Sequence, residues 1–233
     1  MNLLGFDTAT AATSVCVLRA DGTPFESALP GEGWMAEPPR HTAELMPAIE
    51  RCLTAAGVTY DQLESVAVGV GPGTFTGLRI GVATARALAQ SCGLQIRPVS
   101  TLKTIATALT ESASRANHIM PIVDAKRGEL FYSLYRAEDS GLRELWRESV
   151  DRPERLVERV VSARMKGVFA VGDGAVRFAD ELRAVGVSIA PPSSELHVPR
   201  ALQVCCLALQ AEAVRADAVE PAYIRAPDAA RWR

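Results

Sequence analysis

The chain has 233 residues, of which 48% are hydrophobic and 22% charged, with a net charge of -2; this is the composition of a folded globular protein, without a global positive field to draw nucleic acid. Five cysteines, an odd number with no C-x-x-C pair, speak against a disulfide framework or a zinc ribbon and for buried, reduced thiols. Asp7 interrupts the first apolar residues too early for a signal peptide and no apolar run is long enough to cross a bilayer, so a cytoplasmic protein without membrane contact is expected.

In chain order, Leu3 to Phe6 reads as a strand ending at Asp7. A turn-prone segment from Thr8 to Thr13 follows, and Ser14 to Leu18 alternates into a second strand, giving a hairpin with a carboxylate at its mouth. Asp21-Gly22 signals a tight turn into a third strand over Thr23 to Leu29, and Gly31 to Pro39 reads as a loop. A helix is predicted from about Arg40 to Ala56, because Leu45, Met46, Ile49 and Leu53 share a face and Gly57 suits its end. Pro47 inside that span predicts a kink or a later start.

Val66 to Val70 is short, apolar and β-branched, as a strand covered on both faces would be. Gly71, Pro72 and Gly73 stop it, Thr74 or Thr76 is placed to cap a helix running to about Ser91, and Gly93 suits the C′ position. The loop is not a P-loop, since Leu78 and Arg79 stand where a lysine and a hydroxyl are needed. Within the helix Gly77, Gly81, Ala85 and Ala89 recur every fourth residue and fall on one face, flanked by Leu78, Val82 and Leu88. That smooth strip fits either internal packing or a subunit contact. Arg79, Ala83, Arg86 and Gln90 form a separate, more polar face. A strand over Leu94 to Val99 and a helix from Thr101 to about Ser114 close the first half.

At Ile119 the order begins again: an apolar run to Asp124, a turn at Ala125 to Gly128, and a strand over Glu129 to Tyr135. A strand at Leu142 to Glu148, a helix at Pro153 to Arg164, a strand at Val168 to Val171, a helix at Ala175 to Val185, a strand at Val187 to Ala190 and a helix at Val198 to Arg215 repeat the plan. Internal repetition therefore predicts two similar α/β lobes, residues 1–116 and 117–225, followed by a tail over 226–233.

This duplicated plan resembles the actin, hexokinase and Hsp70-like superfamily, in which a nucleotide lies between two ribonuclease-H-like lobes. Asp7-Thr8-Ala9-Thr10, Arg40-His41-Thr42, the block from Gly71 to Gly81 (G-P-G-T-F-T-G-L-R-I-G), Val123-Asp124-Ala125 with Gly128-Glu129, and Glu220 to Arg225 together resemble the TsaB (YeaZ) family, collinearly along nearly the whole chain. The G-P-G-T-F-T-G-L-R-I-G block is the specific part.

The resemblance implies a non-catalytic scaffold in the bacterial machinery that places a threonylcarbamoyl group on the adenosine beside the tRNA anticodon. Its partners would be the catalytic paralogue TsaD and the ATPase TsaE, with tRNA engaged indirectly, TsaC supplying threonylcarbamoyl-adenylate, and ATP and a metal belonging to the partner complex rather than to this chain. It implies a four-helix contact through the two helices of the first lobe, with His41, Leu45, Ile49, Gly77, Leu78, Gly81, Val82 and Ala85 at the interface, and a homodimer through the same helices as a further pairing. It also implies a vestigial nucleotide site at Asp7, Thr8, Asp124, Gly128, Gly172 and Gly174. The residues agree that no metal is bound: the paralogue's H-x-x-x-H pair has His41 followed four residues later by Leu45, and His118 and His197 have no partner at ligand spacing. His41 alone reads as a hydrogen-bonding residue near a helix start. The alternatives are an ATP-dependent small-molecule kinase, which the fold would support, and a glycoprotease-like enzyme, for which neither H-E-x-x-H nor G-x-S-x-G is present.

Overall fold

In the computed structural model, which describes residues 1–31, 33–110, 116–139 and 141–224, the chain forms two five-stranded sheets of the same order. The first contains β1 (Leu3–Asp7), β2 (Ser14–Leu18), β3 (Pro24–Glu26), β4 (Ser65–Gly71) and β5 (Gln95–Ser100), with α1 (His41–Ala56) before β4, α2 (Phe75–Cys92) after it and α3 (Thr101–Thr110) after β5. The second contains β6 (His118–Lys126), β7 (Glu129–Glu138), β8 (Gly141–Asp151), β9 (Val168–Val171) and β10 (Ser188–Ile189), with α4 (Pro153–Ser162), α5 (Asp173–Arg177), α6 (Ala179–Ala184) and α7 (Ala201–Ala208).

The strand orders β3-β2-β1-β4-β5 and β8-β7-β6-β9-β10 superpose element for element. In each sheet the first two strands form an antiparallel hairpin, while the first and fourth, and the fourth and fifth, are parallel. This is the duplicated α/β plan expected from the repeat in the sequence.

Period-two alternation decides what each face touches. Leu4, Phe6, Val66 and Val68 point to a core shared with Leu45, Ile49, Leu53, Val82 and Ala85 of α1 and α2. Leu3, Cys16 and Ala67 point the other way, onto Ala201, Val204 and Cys205 of α7. The second sheet packs Met120, Ile122 and Leu134 against α4 and α6, and Ile119, Val123 and Phe131 against Leu102, Ile105 and Leu109 of α3. The last helix of the first half thus covers the second sheet, and the last helix of the chain covers the first, with α3 and α7 in contact between them.

Four local expectations are corrected. The third strand, expected over Thr23 to Leu29, is limited to Pro24–Glu26, because the Val15 N–H turns to the Ser27 side-chain oxygen instead of a further ladder carbonyl. α1 runs through Pro47 without stopping, with the proline exposed on the solvent side, where the carbonyl it leaves unpaired meets water. The helix expected over Ala175 to Val185 starts at Asp173 and breaks at Phe178, so that both Phe178 and Leu182 enter the second core. The helix expected over Val198 to Arg215 is limited to α7: beyond it Val214 pairs with Ile96 through bonds of 3.0 and 2.8 Å, and Arg97 donates to the Ala208 and Ala211 carbonyls. Satisfying the open edge of β5 there competes successfully with further helix. The expected end of the Thr101 helix near Ser114 and the 226–233 tail lie outside the described residues.

Candidate functional site

The glycine block after β4 is built around the loop that follows β1. Thr74 N–H donates to the Ala9 carbonyl at 2.7 Å and the Thr8 hydroxyl donates to the Gly77 carbonyl at 2.8 Å. A Cβ on Gly73 would stand 2.3 Å from the Ala9 carbonyl oxygen, one on Gly77 would stand 1.9 Å from the Thr8 carbonyl oxygen, and one on Gly81 would stand 2.5 Å from the Thr8 hydroxyl. The glycines are there because the 8–9 backbone lies against them. Thr74 occupies the N-cap position, but its hydroxyl makes no cap bond.

The small-residue strip therefore faces the chain's own first hairpin. His41, Leu45, Ile49, Gly77, Leu78, Gly81, Val82 and Ala85 are all buried within the chain. They form the inner face of α1 and α2. The outward face presents Ala43, Pro47, Glu50, Arg51 and Thr54 on α1, flanked by Glu44 and by Met46, which is 41% exposed, and Thr76, Arg79, Ala83, Ala87 and Gln90 on α2. Small and apolar residues there, Ala43, Pro47, Ala83 and Ala87, are interspersed with the charges of Glu50, Arg51 and Arg79.

His41 is a structural clamp. Its Nε2 donates to the Thr10 carbonyl at 3.0 Å and its Nδ1 accepts from the Thr13 hydroxyl at 2.8 Å, which ties the first hairpin to the start of α1. Burial holds its pKa below the ordinary histidine value. Among the described residues, no three His, Cys, Asp or Glu side chains are grouped to hold a metal ion.

Asp7 ends β1 and Asp124 lies two residues before the end of β6, the central strands of the two sheets. Asp7 is fully buried, accepting from Ala9 N–H and from the Thr101 hydroxyl, both at 2.7 Å. Gly69 leaves room for it, since a Cβ there would lie 1.9 Å from the carboxylate. Burial outweighs both hydrogen bonds and pushes the Asp7 pKa up to about 6. Asp124 is bound by Lys126 N–H at 2.8 Å, Lys126 Nζ at 2.9 Å and Arg177 Nη1 at 2.7 Å. Burial opposes its ionisation, but these donors prevail and its pKa is lowered.

Gly172 and Gly174 bring α5 against β6. Added Cβ atoms would meet the Ile122 carbonyl oxygen at 2.2 Å and the Ile122 side chain at 2.8 Å, and Gly172 also has φ of +101°. Asp173 between them accepts the Asp124 N–H at 3.0 Å, and burial raises its pKa to about 6. His197, fully buried, accepts the Gly172 N–H at 3.0 Å and donates to the Pro191 carbonyl at 2.9 Å; nothing in its sequence spacing had singled it out for this. Gly128 has open space around it and is required by its φ of +76°. Thr8, the two carboxylates and the glycine turns thus direct their hydrogen bonds into the chain itself. A separate opening of about 800 Å³ is lined by Leu29, Trp34 and Met35 on one side and by Pro192, Glu195 and Val198 on the other.

The family model for TsaD, tRNA N6-adenosine threonylcarbamoyltransferase, matches residues 38–217. The tRNA threonylcarbamoyladenosine biosynthesis protein TsaB of Escherichia coli is 30% identical over 97% of this chain and 95% of its own length, and the Bacillus subtilis protein of the same name is 26% identical over 100% and 98%. A crystal structure of YeaZ from Pseudomonas aeruginosa, 26% identical, covers 95% of this chain and 100% of that one with a TM-score of 0.77. Among the described residues no helix is long and apolar enough to cross a membrane. With 30% identity to a TsaB protein along almost its full length and the fold of a solved YeaZ, the chain belongs to the TsaB (YeaZ) family.

Proposed function

We propose that this chain is the scaffold subunit of the tRNA threonylcarbamoyladenosine machinery, without catalytic chemistry of its own. It pairs with a TsaD-type paralogue through the outer face of α1 and α2. The observation that carries this reading is a contrast within one lobe. The hairpin mouth, where a phosphate would be held, is closed on Thr8, Ala9 and Thr101 of the same chain. The surface of α1 and α2 instead offers Ala43, Met46, Pro47, Ala83 and Ala87 to solvent. Small residues let a second pair of helices approach closely, and the exposed methionine adapts to what packs on it.

The names of the curated relatives support the pathway, and the match to a TsaD model supports a paralogue as partner. On this reading ATP, the metal and the transfer chemistry belong to the paralogue and a TsaE-type ATPase, tRNA is engaged through the complex, and a homodimer uses the same helices when the paralogue is absent. The test is the solution mass of this chain mixed with a TsaD-type paralogue, by size exclusion with light scattering. A one-to-one species is expected with the wild type and is lost with Ala83→Arg, which leaves the lobe folded. Association that survives Ala83→Arg would place the contact elsewhere, and ATP turnover by the isolated chain with a small acceptor would favour a kinase.

A further inference from the structure

The flank of α2 carries a second feature that the core does not use. Phe75 and Tyr223 are 51% and 44% exposed, yet they hold each other with ring centroids 5.6 Å apart. Arg79 lies over the Phe75 ring at 3.8 Å and donates its Nε–H to the Tyr223 hydroxyl at 3.2 Å. Its two terminal amino groups have no acceptor among the described residues. The segment bearing Tyr223 is itself fixed, since Ala222 N–H donates to the Val70 carbonyl at 2.7 Å.

Beside this guanidinium runs a groove of about 530 Å³ walled by Val82, Ala83, Ala87, Pro221 and Tyr223. Arg86 and Gln90 also line it, and the Arg86 Nε and Nη2 are bound to the Ala216 and Asp217 carbonyls at 3.0 Å. A stacked arginine with its fork turned outward has already lost the rotamer freedom that binding would otherwise remove. Its planar pair of donors matches a carboxylate better than any other protein group. An exposed aromatic pair around an arginine is also the composition that dominates protein interfaces.

We infer that Arg79, held by Phe75 and Tyr223, is the receptor for an aspartate or glutamate of the paired subunit, with an apolar side chain next to that carboxylate seated in the Val82–Ala87 groove. The groove shares Ala83 and Ala87 with the outward face of α2, so one partner covers both; this rests on the pairing proposed above. An RNA strand suits the site less well. Among the described residues the groove lining has only two cations, Arg79 and Arg86, and Arg86 is committed to backbone carbonyls, which leaves one free guanidinium for a phosphate backbone that needs several.

The test measures the dissociation constant between the full chain and the TsaD-type paralogue by titration calorimetry for wild type, Arg79→Lys, Arg79→Ala and Phe75→Ala, with circular dichroism confirming that each variant folds. Arg79→Ala is expected to weaken pairing by about 30- to 100-fold and Arg79→Lys by about tenfold, since a lysine keeps the charge without the fork. Arg79→Glu should be rescued by one acidic-to-lysine change in the paralogue. Wild-type pairing that is unchanged in all Arg79 variants would overturn this inference and leave the scaffold reading intact. A wild type that does not pair at all would remove both. Weakened tRNA binding in Arg79→Ala with unchanged pairing would overturn it in favour of RNA.

Discussion

The two hairpin mouths share one topology and hold their carboxylates in opposite surroundings. At the end of β1, Asp7 is sealed from water and bound only by neutral donors, and its pKa rises to about 6. Near the end of β6, Asp124 keeps two half-exposed cations, Lys126 and Arg177, on the same oxygen. Duplication preserved the strand order and the acidic residue, while the surroundings of each carboxylate diverged. A carboxylate at the end of a central strand is therefore no evidence of a ligand site until its partners are known.

The comparison breaks most severely through the glycines. Gly77→Ala puts a Cβ 1.9 Å from the Thr8 carbonyl oxygen, and Gly172→Ala puts one 2.2 Å from the Ile122 carbonyl oxygen at a φ that disfavours it. Backbone against backbone cannot yield cheaply, so each is expected to cost about 3 kcal/mol or more in chemical denaturation. Neither should behave as a pure pairing variant, and the same holds for Gly81→Arg.

The carboxylates sharpen the contrast through pH. Asp7 has a folded pKa above its unfolded value, so the folded state takes up a proton first. Its unfavourable contribution is present at neutral pH and disappears as pH falls from about 7 through 6 towards 4. Asp7→Asn should therefore gain stability over the wild type at pH 8, on the order of 2 kcal/mol, and lose that advantage near pH 4. Asp124 has the opposite sign: its pairing with Lys126 and Arg177 stabilises above the unfolded pKa and is lost as pH falls through its lowered value. Asp124→Asn should thus destabilise at pH 7, by about 1 kcal/mol given the half-exposed partners, and converge with the wild type in acid. Urea midpoints across pH 4 to 8 read both slopes.

His41→Ala is expected to cost about 2 kcal/mol by stranding the Thr10 carbonyl and the Thr13 hydroxyl near the hairpin. The smallest effect on stability should come from Ala83→Arg, within about 0.5 kcal/mol because the site is exposed. That same change carries the largest expected effect on pairing.

Much of the fold was legible because the order of apolar runs, acidic residues and turns repeats within one chain. The glycine block was legible as a strand, turn and helix, and its small-residue strip as one face of that helix. Which neighbour the strip meets was not legible. A four-residue spacing says that backbones approach closely, and Thr8, the group that does so, lies 69 residues from Gly77. The residues expected at a partner contact therefore lie on the inner face of α1 and α2. The Arg79 cluster was hidden for the same reason, since Tyr223 joins it from 144 residues away. The early end of α7 followed from an edge pairing between Val214 and Ile96 that helix periodicity cannot report.

The most direct test of a scaffold whose surface, not its hairpin mouths, serves the reaction is tRNA threonylcarbamoylation reconstituted with the paralogue, the ATPase and threonylcarbamoyl-adenylate supply. Asp7→Asn and Asp124→Asn should retain the modification rate within about twofold, whereas Ala83→Arg should abolish it. Loss of modification in a folded, still-pairing Asp7→Asn or Asp124→Asn chain, with Ala83→Arg fully active, would contradict it.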